Sequence, residues 1–396
     1  MCGDRAGLRR HDHRRFRGAG RERLGRFAGD VDAAELDYDL PAERIAQAPI
    51  EPRDAARLLV DHGPGAAPSH RHVRDLPDLL DAGDLLVVND TRVRRARLQL
   101  RKESGRAVEV LLLEPHGDGW EALVRPSKRV APGTRLRAGG LELEVDDDLG
   151  EGRRVVRVLS GDVDQHGDIP LPPYIHEPLA DAERYQTVYA ERPASAAAPT
   201  AGLHLTSAVL DACAARGIGL ARVELVVGLD TFRPIAVDRV EDHPMHSEAY
   251  VVPASTVEAI AAARDGGGRV VAVGTTVVRA LEAWAATGST EGRTRLFIRP
   301  GFEFAVVDRL VTNFHLPRTT LLALVAAFAG AHWRDLYAAA LADDRYRFLS
   351  FGDAMLLSRH QEDAADARPA AGQPVVRSRV GVDDDRRGPA GHLGER

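Results

Sequence analysis

The chain has 396 residues, 44% hydrophobic and 28% charged, a balance that supplies a sizeable core and excludes a fibrous or wholly unfolded chain. Lys and Arg number 53 against 59 Asp and Glu, a net charge of −6, so a polyanionic partner would have to be read by a local patch. The only cysteines, Cys2 and Cys213, exclude a disulfide framework and a thiolate metal centre, and they predict a reducing, cytoplasmic setting.

Residues 1–33 read as a disordered basic extension: the first thirty carry nine arginines against four acids and almost no apolar periodicity. Leu40 to Gln47 reads as a short helix with Pro41 in its first turn. Leu85-Leu86-Val87-Val88 is a buried strand that leaves through the polar turn Asn89-Asp90-Thr91-Arg92. From Leu98 to Val158 the texture changes. Runs at Ala107–Leu113, Trp120–Val124, Leu141–Val145 and Arg154–Val158, broken by Gly, Pro and Asp, predict a small antiparallel barrel.

Beyond Asp181 helices and strands alternate. Helices are predicted at Ser207–Arg216, Ala254–Arg264, Val277–Ala286 and Thr319–Ala329, with strands at Val223–Val227, Arg269–Val273 and Leu296–Ile298. The longest apolar run, Leu321 to Ala331, is far short of the roughly 20 residues of a spanning helix, so no membrane partner is expected. The fold class is therefore α/β: a mixed or parallel-sheet domain (34–95 and 165–358) interrupted by an inserted antiparallel β-barrel (96–164), with a disordered tail at 359–396.

No GxxxxGK[ST], GxGxxG or GxSxG motif occurs, so the chemistry is sought in polar segments at strand ends. Val273-Gly274-Thr275-Thr276 runs a strand into a helix N-terminus, a ready anion site that Arg279, one turn on, could complete; N-capping with a surface arginine is the plainer alternative. Pro199-Thr200-Ala201-Gly202-Leu203-His204 is small, then polar, and Gly202 permits close approach to the backbone. His243, His246 and Glu248 resemble a metal triad in composition, but Pro244 disfavours the aligning helix, and a His246–Glu248 hydrogen-bonded pair fits better; no metal is expected. Asn313-Phe314-His315 is a third polar turn before a helix.

The basic patch is more specific. Between Arg92 and Arg137 stand twelve basic and five acidic residues. Arg94, Arg95, Arg97, Arg101, Lys102, Arg125, Lys128 and Arg129 are its candidate RNA-backbone contacts, a solvated strand face being the alternative.

Taken together, the segments Tyr38-Asp39-Leu40-Pro41, Gly83 to Arg92, Ile169 to Ile175, Arg184 to Ala190, Ala198 to His204, Met245 to Glu248, Ala272 to Thr276, Thr312 to Pro317, Tyr346-Arg347-Phe348 and Gly352 to Met355 resemble, in family order, the S-adenosylmethionine:tRNA ribosyltransferase-isomerase family of queuosine biosynthesis. The resemblance implies transfer and isomerisation of the ribosyl part of S-adenosylmethionine onto 7-aminomethyl-7-deazaguanine at the tRNA wobble position. The product is epoxyqueuosine-tRNA, with adenine and methionine released. It implies S-adenosylmethionine and a tRNA anticodon loop as partners and no cofactor; a monomer is expected. A diverged paralogue with another acceptor, or a silent RNA- or nucleoside-binding protein, is the alternative.

The chemistry needs a base at the carbon next to the sulfonium, a donor for departing adenine, and holders for carboxylate and ribose. The acid/base candidates are His204, His246 and His315, with Glu248 orienting His246. Thr275, Thr276 and Arg279 are expected on the anionic part of the donor, and Asp90 and Arg92 on the ribose or incoming base. Thr200, Gly202, Asn313 and Asp353 complete the candidate binding set. The chain departs from the family pattern at Val226 and Asp230, where the family has histidine and glycine; an aspartate in place of glycine adds bulk and charge.

Overall fold

Strands alternating between two apolar environments build the body of the molecule. In the computed structural model, which describes residues 31–228 and 234–360, seventeen strands and seven α-helices are found. The strands, in chain order, are β1 (Arg57–Val60), β2 (Ser69–His72), β3 (Leu85–Asn89), β4 (Thr91–Val93), β5 (Arg97–Lys102), β6 (Ala107–His116), β7 (Gly119–Arg125), β8 (Arg135–Ala138), β9 (Leu141–Gly150), β10 (Arg153–Ser160), β11 (Arg192–Ser195), β12 (Gly219–Leu225), β13 (Glu248–Val251), β14 (Val270–Val273), β15 (Glu291–Thr294), β16 (Arg309–Asn313) and β17 (Ala354–Ser358). The helices are α1 (Leu76–Leu79), α2 (Val163–His166), α3 (Ser207–Ala215), α4 (Ala254–Asp265), α5 (Thr275–Thr287), α6 (Thr320–Ala329) and α7 (Trp333–Ala342).

Nine strands form one mixed sheet in the order β15-β13-β12-β3-β14-β16-β17-β1-β2. Its centre, β12-β3-β14-β16, is parallel, and the neighbouring pairs β12–β13 and β16–β17 are antiparallel. The central strands are apolar throughout because both faces are covered. Leu85, Val87, Val270 and Ala272 enter one core with Val277, Leu281 and Leu322 of α5 and α6. Leu86, Val88, Val271 and Val273 enter the opposite core with Leu76 of α1 and Val209 and Cys213 of α3.

The barrel closes as β10-β7-β6-β5-β8-β9. Leu98, Leu100, Val108, Val110, Ala122, Val124, Leu141 and Leu143 fill its interior at period two. It leaves the main domain after β4 and returns before β11, and these two short strands pair in parallel. Arg97 and Asp168 exchange backbone hydrogen bonds of 3.0 and 2.8 Å across its neck. A side-chain link adds to this, Arg293 of β15 with Glu114 of β6 at 2.9 Å.

Three local expectations change. The Leu40–Gln47 helix shortens to a 3₁₀ turn at Ala42–Arg44, the terminal Ile45 being drawn into a bridge with Phe348. Leu296–Ile298 is not a strand; the edge strand lies earlier, at β15, where Glu248 to Val251 offers a ladder. The barrel holds two strands, β5 and β8, that were hidden by their charge. The expected basic extension and tail lie outside the described residues except at their edges: Ala33 is fully buried, and the Arg359 and His360 amides bond to Asp308 and Phe328.

Candidate functional site

The four parallel strands end together. Val223 stands opposite Asn89, Val88 opposite Val273, and Val273 opposite Val311, so the turns at Asp90, Gly274 and Asn313 share the carboxyl edge where open α/β sheets take ligands. Asn89 spends its amide on architecture: Nδ2 donates to the Leu225 carbonyl at 3.0 Å, and Oδ1 accepts from the Thr91 amide at 3.2 Å. That stitch fixes where the next side chain goes. Asp90 is buried, and among the described residues its Oδ1 has no hydrogen-bond partner. Burial, then the nearby Glu224 carboxylate, raises its pKa above the ordinary aspartate value. The hydroxyls of Tyr189 and Thr187 are also buried without partners among the described residues.

Gly202 is where these groups crowd. A Cβ there would lie 2.0 Å from the Tyr189 hydroxyl and 3.0 Å from Thr187 Cγ2. Close approach to the glycine was expected, and the group that approaches is the protein's own phenol. Tyr189 and Thr187 join the candidate set here; the stretch Gln186-Thr187-Val188-Tyr189, with its hydroxyls and amide, is the sequence signal for them.

Asn313 joins the second group. Thr200 Oγ1 donates to its Oδ1 at 2.9 Å, and its Nδ2 donates to His204 Nε2 at 2.9 Å. Amide nitrogen only donates, so His204 Nε2 is an acceptor and the ring is neutral with its proton on Nδ1. Burial, followed by the charges of Arg347 and Arg53, pushes the His204 pKa down to about 4. His315 is spoken for differently. Its ring bonds Thr312 Oγ1 at 2.9 Å, its amide donates to Tyr337 at 3.0 Å and its carbonyl accepts from Tyr38. Burial pushes its pKa down to about 3.

The third group is the start of α5. Gly274 has φ +98, which only glycine adopts without strain, and it turns the chain from β14 into the helix. No side chain caps that end, and the first backbone bonds back to Gly274 begin at Val277. The amides of Thr275 and Thr276 therefore have no partner within the helix, and Thr276 Oγ1 is buried without a partner among the described residues. The Thr200–His204 turn lies over them, with Ala201 Cβ 3.6 Å from where a Gly274 Cβ would be. A helix terminus of this kind is suited to an anion.

Arg279 and Glu248 pair with each other. Both are buried, Arg279 Nη1 bonding Glu248 Oε2 while its Nε donates to the Leu296 carbonyl at 3.1 Å. The guanidinium is thus not a surface clamp added to Thr275 and Thr276, and Glu248 balances an arginine. Burial pulls the Arg279 pKa down to about 10. His246 and Met245 line a cleft beside this pair. Asp353 is filled by backbone, accepting from the Arg57 and Arg347 amides at 2.7 Å each. Arg92 pairs with Glu183. Asp230 lies outside the described residues; Val226 donates its amide to Ala249 across β12 and β13.

On the barrel, Arg94 stacks over Trp120 with its guanidinium carbon 4.2 Å from the ring centroid, and Arg97 faces Glu109 at 3.8 Å. Lys102 reaches the Arg129 carbonyl, which ties the β5–β6 hairpin to the Ser127–Arg129 turn. Arg101 opposes Arg137 in the ladder. Arg101, Lys102, Arg125, Lys128 and Arg129 thus gather at one end of the barrel, and among the described residues none of them, nor Arg95, has a carboxylate partner.

Comparison with known proteins now adds lineage to geometry. A family model described as queuosine biosynthesis protein matches residues 33–357. A Rubrobacter xylanophilus protein named S-adenosylmethionine:tRNA ribosyltransferase-isomerase is 55% identical over 328 residues, covering 82% of this chain and 96% of that protein. An Anaeromyxobacter protein of the same name is 52% identical over 82% of this chain and 99% of its own length. A crystal structure from Thermotoga maritima titled S-adenosylmethionine tRNA ribosyltransferase is 40% identical, covering 81% of this chain and 99% of that one, with a TM-score of 0.48. With the family model matched over residues 33–357 and nearly the whole length of the Rubrobacter and Anaeromyxobacter proteins covered, this chain belongs to the queuosine biosynthesis protein family.

Proposed function

We propose that this chain transfers the ribosyl part of S-adenosylmethionine to 7-aminomethyl-7-deazaguanine at the tRNA wobble position and isomerises it, giving epoxyqueuosine-tRNA with release of adenine and methionine. The family and its named relatives support the reaction. The single observation that carries the reading at residue level is the set of buried, unpartnered oxygens at one sheet edge: Asp90 Oδ1, Tyr189 Oη, Thr187 Oγ1 and Thr276 Oγ1. A folded chain leaves few such groups orphaned, and a cluster of them at strand ends fits a polar ligand that supplies the missing bonds.

Each group then takes a role. The Thr275 and Thr276 amides and the Thr276 hydroxyl hold the donor's carboxylate on the α5 terminus. Asp90 is the base for the carbon next to the sulfonium, since burial has moved its basicity toward working pH. His204 is a fixed acceptor within the Thr200–Asn313 network and positions that wall of the site. The barrel end bearing Arg101, Lys102, Arg125, Lys128 and Arg129 contacts the anticodon arm through its phosphates. No cofactor takes part, S-adenosylmethionine being a substrate.

The test is direct. Purified protein, S-adenosylmethionine and a tRNA carrying the deazaguanine precursor are incubated, with free adenine and tRNA mass measured together. Adenine release in step with ribosyl-derived mass gain supports the assignment. Failure to release adenine from this mixture overturns it.

A further inference from the structure

Arg279 is one arm short of partners. Its Nε donates to Leu296 and its Nη1 to Glu248, but Nη2 is buried and meets no acceptor among the described residues. An unpaired buried donor of this kind is destabilising, a penalty that a bound acceptor would remove. Arg279 forms part of the wall of a cleft whose other sides include Met245, His246, Phe297, Leu321 and Leu324. The cleft also has a definite position: Arg279 stands four residues beyond Thr275 on α5, about 6 Å along the helix axis from the anion site.

Charge decides what fits. Glu248 already neutralises Arg279 inside the protein, so a carboxylate placed here would leave an excess buried negative charge. A neutral acceptor leaves none. Apart from Arg279, His246 and Thr320 the walls are apolar, and they include the Phe297 ring, held edge-on by His243 with centroids 5.9 Å apart. A flat heteroaromatic ring with acceptor nitrogens satisfies the donor, the apolar walls and the ring face together.

Resting on the proposed reaction, we infer that this cleft seats the adenine of the sulfonium nucleoside, with Arg279 Nη2 donating to a ring nitrogen of the base. When the glycosidic C–N bond breaks, its electron pair passes to adenine, and the proton lost by the carbon next to sulfur balances the one the base gains. Arg279 keeps its own protons and stabilises the charge that builds on the departing ring. Glu248 is a positioning residue, fixing which arm of the guanidinium faces the cleft.

The experiment measures free adenine and free methionine binding to the full chain by calorimetry, with Arg279→Lys as the variant. Lysine keeps a cation opposite Glu248 and lacks the second arm. The expected result is at least a tenfold weaker adenine Kd with methionine affinity unchanged. 3-Deazaadenine or 7-deazaadenine, whichever lacks the contacted nitrogen, should bind the parent protein more weakly than adenine but the variant equally. Unchanged adenine affinity, or loss of methionine affinity instead, overturns the assignment, as does a parent protein that binds no adenine. Should Arg279→Lys lose its cooperative melt, Phe297→Leu serves: a three- to tenfold loss of adenine affinity supports the cleft, and no loss overturns it. A parent that turns over while Arg279→Lys keeps its adenine affinity sinks the cleft and leaves the reaction standing. Arg279-dependent adenine binding without turnover does the reverse.

Discussion

The Asn313 amide and the His204 imidazole are locked in one sense, Nδ2 donating to Nε2 at 2.9 Å while Thr200 holds the other end of the amide. The histidine therefore enters the fold neutral, its pKa down at about 4 against an ordinary value of 6.5. Between those two values the unfolded chain binds a proton that the folded chain does not. Stability contributed by neutral His204 is present above pH 6.5 and is lost as pH falls toward 4, by up to about 3 kcal/mol. His204→Gln should flatten that limb of a plot of unfolding free energy against pH. Asn313→Asp, which replaces the donor by an acceptor, should raise the His204 pKa by proton NMR. A curve of unchanged slope in His204→Gln would contradict the locked neutral ring.

Asp90 carries the opposite sign. Its pKa is raised in the folded state by burial and by Glu224, so the folded chain holds the proton more tightly than the unfolded one. Stability then falls as pH rises from the ordinary carboxylate value through the raised one. Asp90→Asn keeps the shape without the charge. It should be as stable as the parent or more so at pH 7, yet release adenine about 10²–10³-fold more slowly if the carboxylate is the base. Melting curves and turnover on the same sample check both halves, and turnover within threefold of the parent would remove Asp90 from the role.

What the sequence disclosed, and what it withheld, follows from range. The Leu85–Val88 strand, the α4 and α6 helices and the barrel's presence rest on local periodicity, and the fold places them there. β5 was obscured because Arg97, Gln99 and Arg101 face outward between Leu98 and Leu100, and charge masked the alternation. The strand ends at Asn89, Gly274 and Asn313 were legible as polar turns, and their meeting at one edge follows from the parallel register. Pairing was not legible. Nothing local says that Arg279 spends its charge on Glu248, 31 residues away, or that both oxygens of Asp353 are consumed by backbone amides. Long-range satisfaction of buried polar groups decides which candidates remain open to a ligand.

Gly202 and Tyr189 make a testable pair. A methyl at residue 202 would sit 2.0 Å from the phenol oxygen and 3.0 Å from its ring carbon. Gly202→Ala should therefore cost about 1–3 kcal/mol through overpacking. Tyr189→Phe removes the atom most in the way, together with an unpartnered buried hydroxyl. The double variant should recover at least half of the stability lost by Gly202→Ala, a coupling that chemical denaturation resolves. Additive losses would mean that the two residues do not press on each other.

The barrel end offers the last prediction. Lys128 and Arg129 are exposed on the Ser127–Arg129 turn, and among the described residues neither meets a carboxylate. Arg157 on β10 is instead held by Asp146 and by Glu144 at 3.2 Å. If tRNA phosphates lie against the turn, their contact releases counterions, and each lost contact lowers the slope of log affinity against log salt by about 1. Lys128→Gln combined with Arg129→Gln should thus weaken tRNA binding and reduce that slope by about 2. The adenine-release rate at saturating tRNA should stay as in the parent, because neither residue belongs to the sheet-edge site. Arg157→Gln should leave the slope untouched, its charge being already answered within the ladder. Filter binding across a salt series separates the cases: equal slopes for the double variant and the parent would place the RNA elsewhere on the molecule.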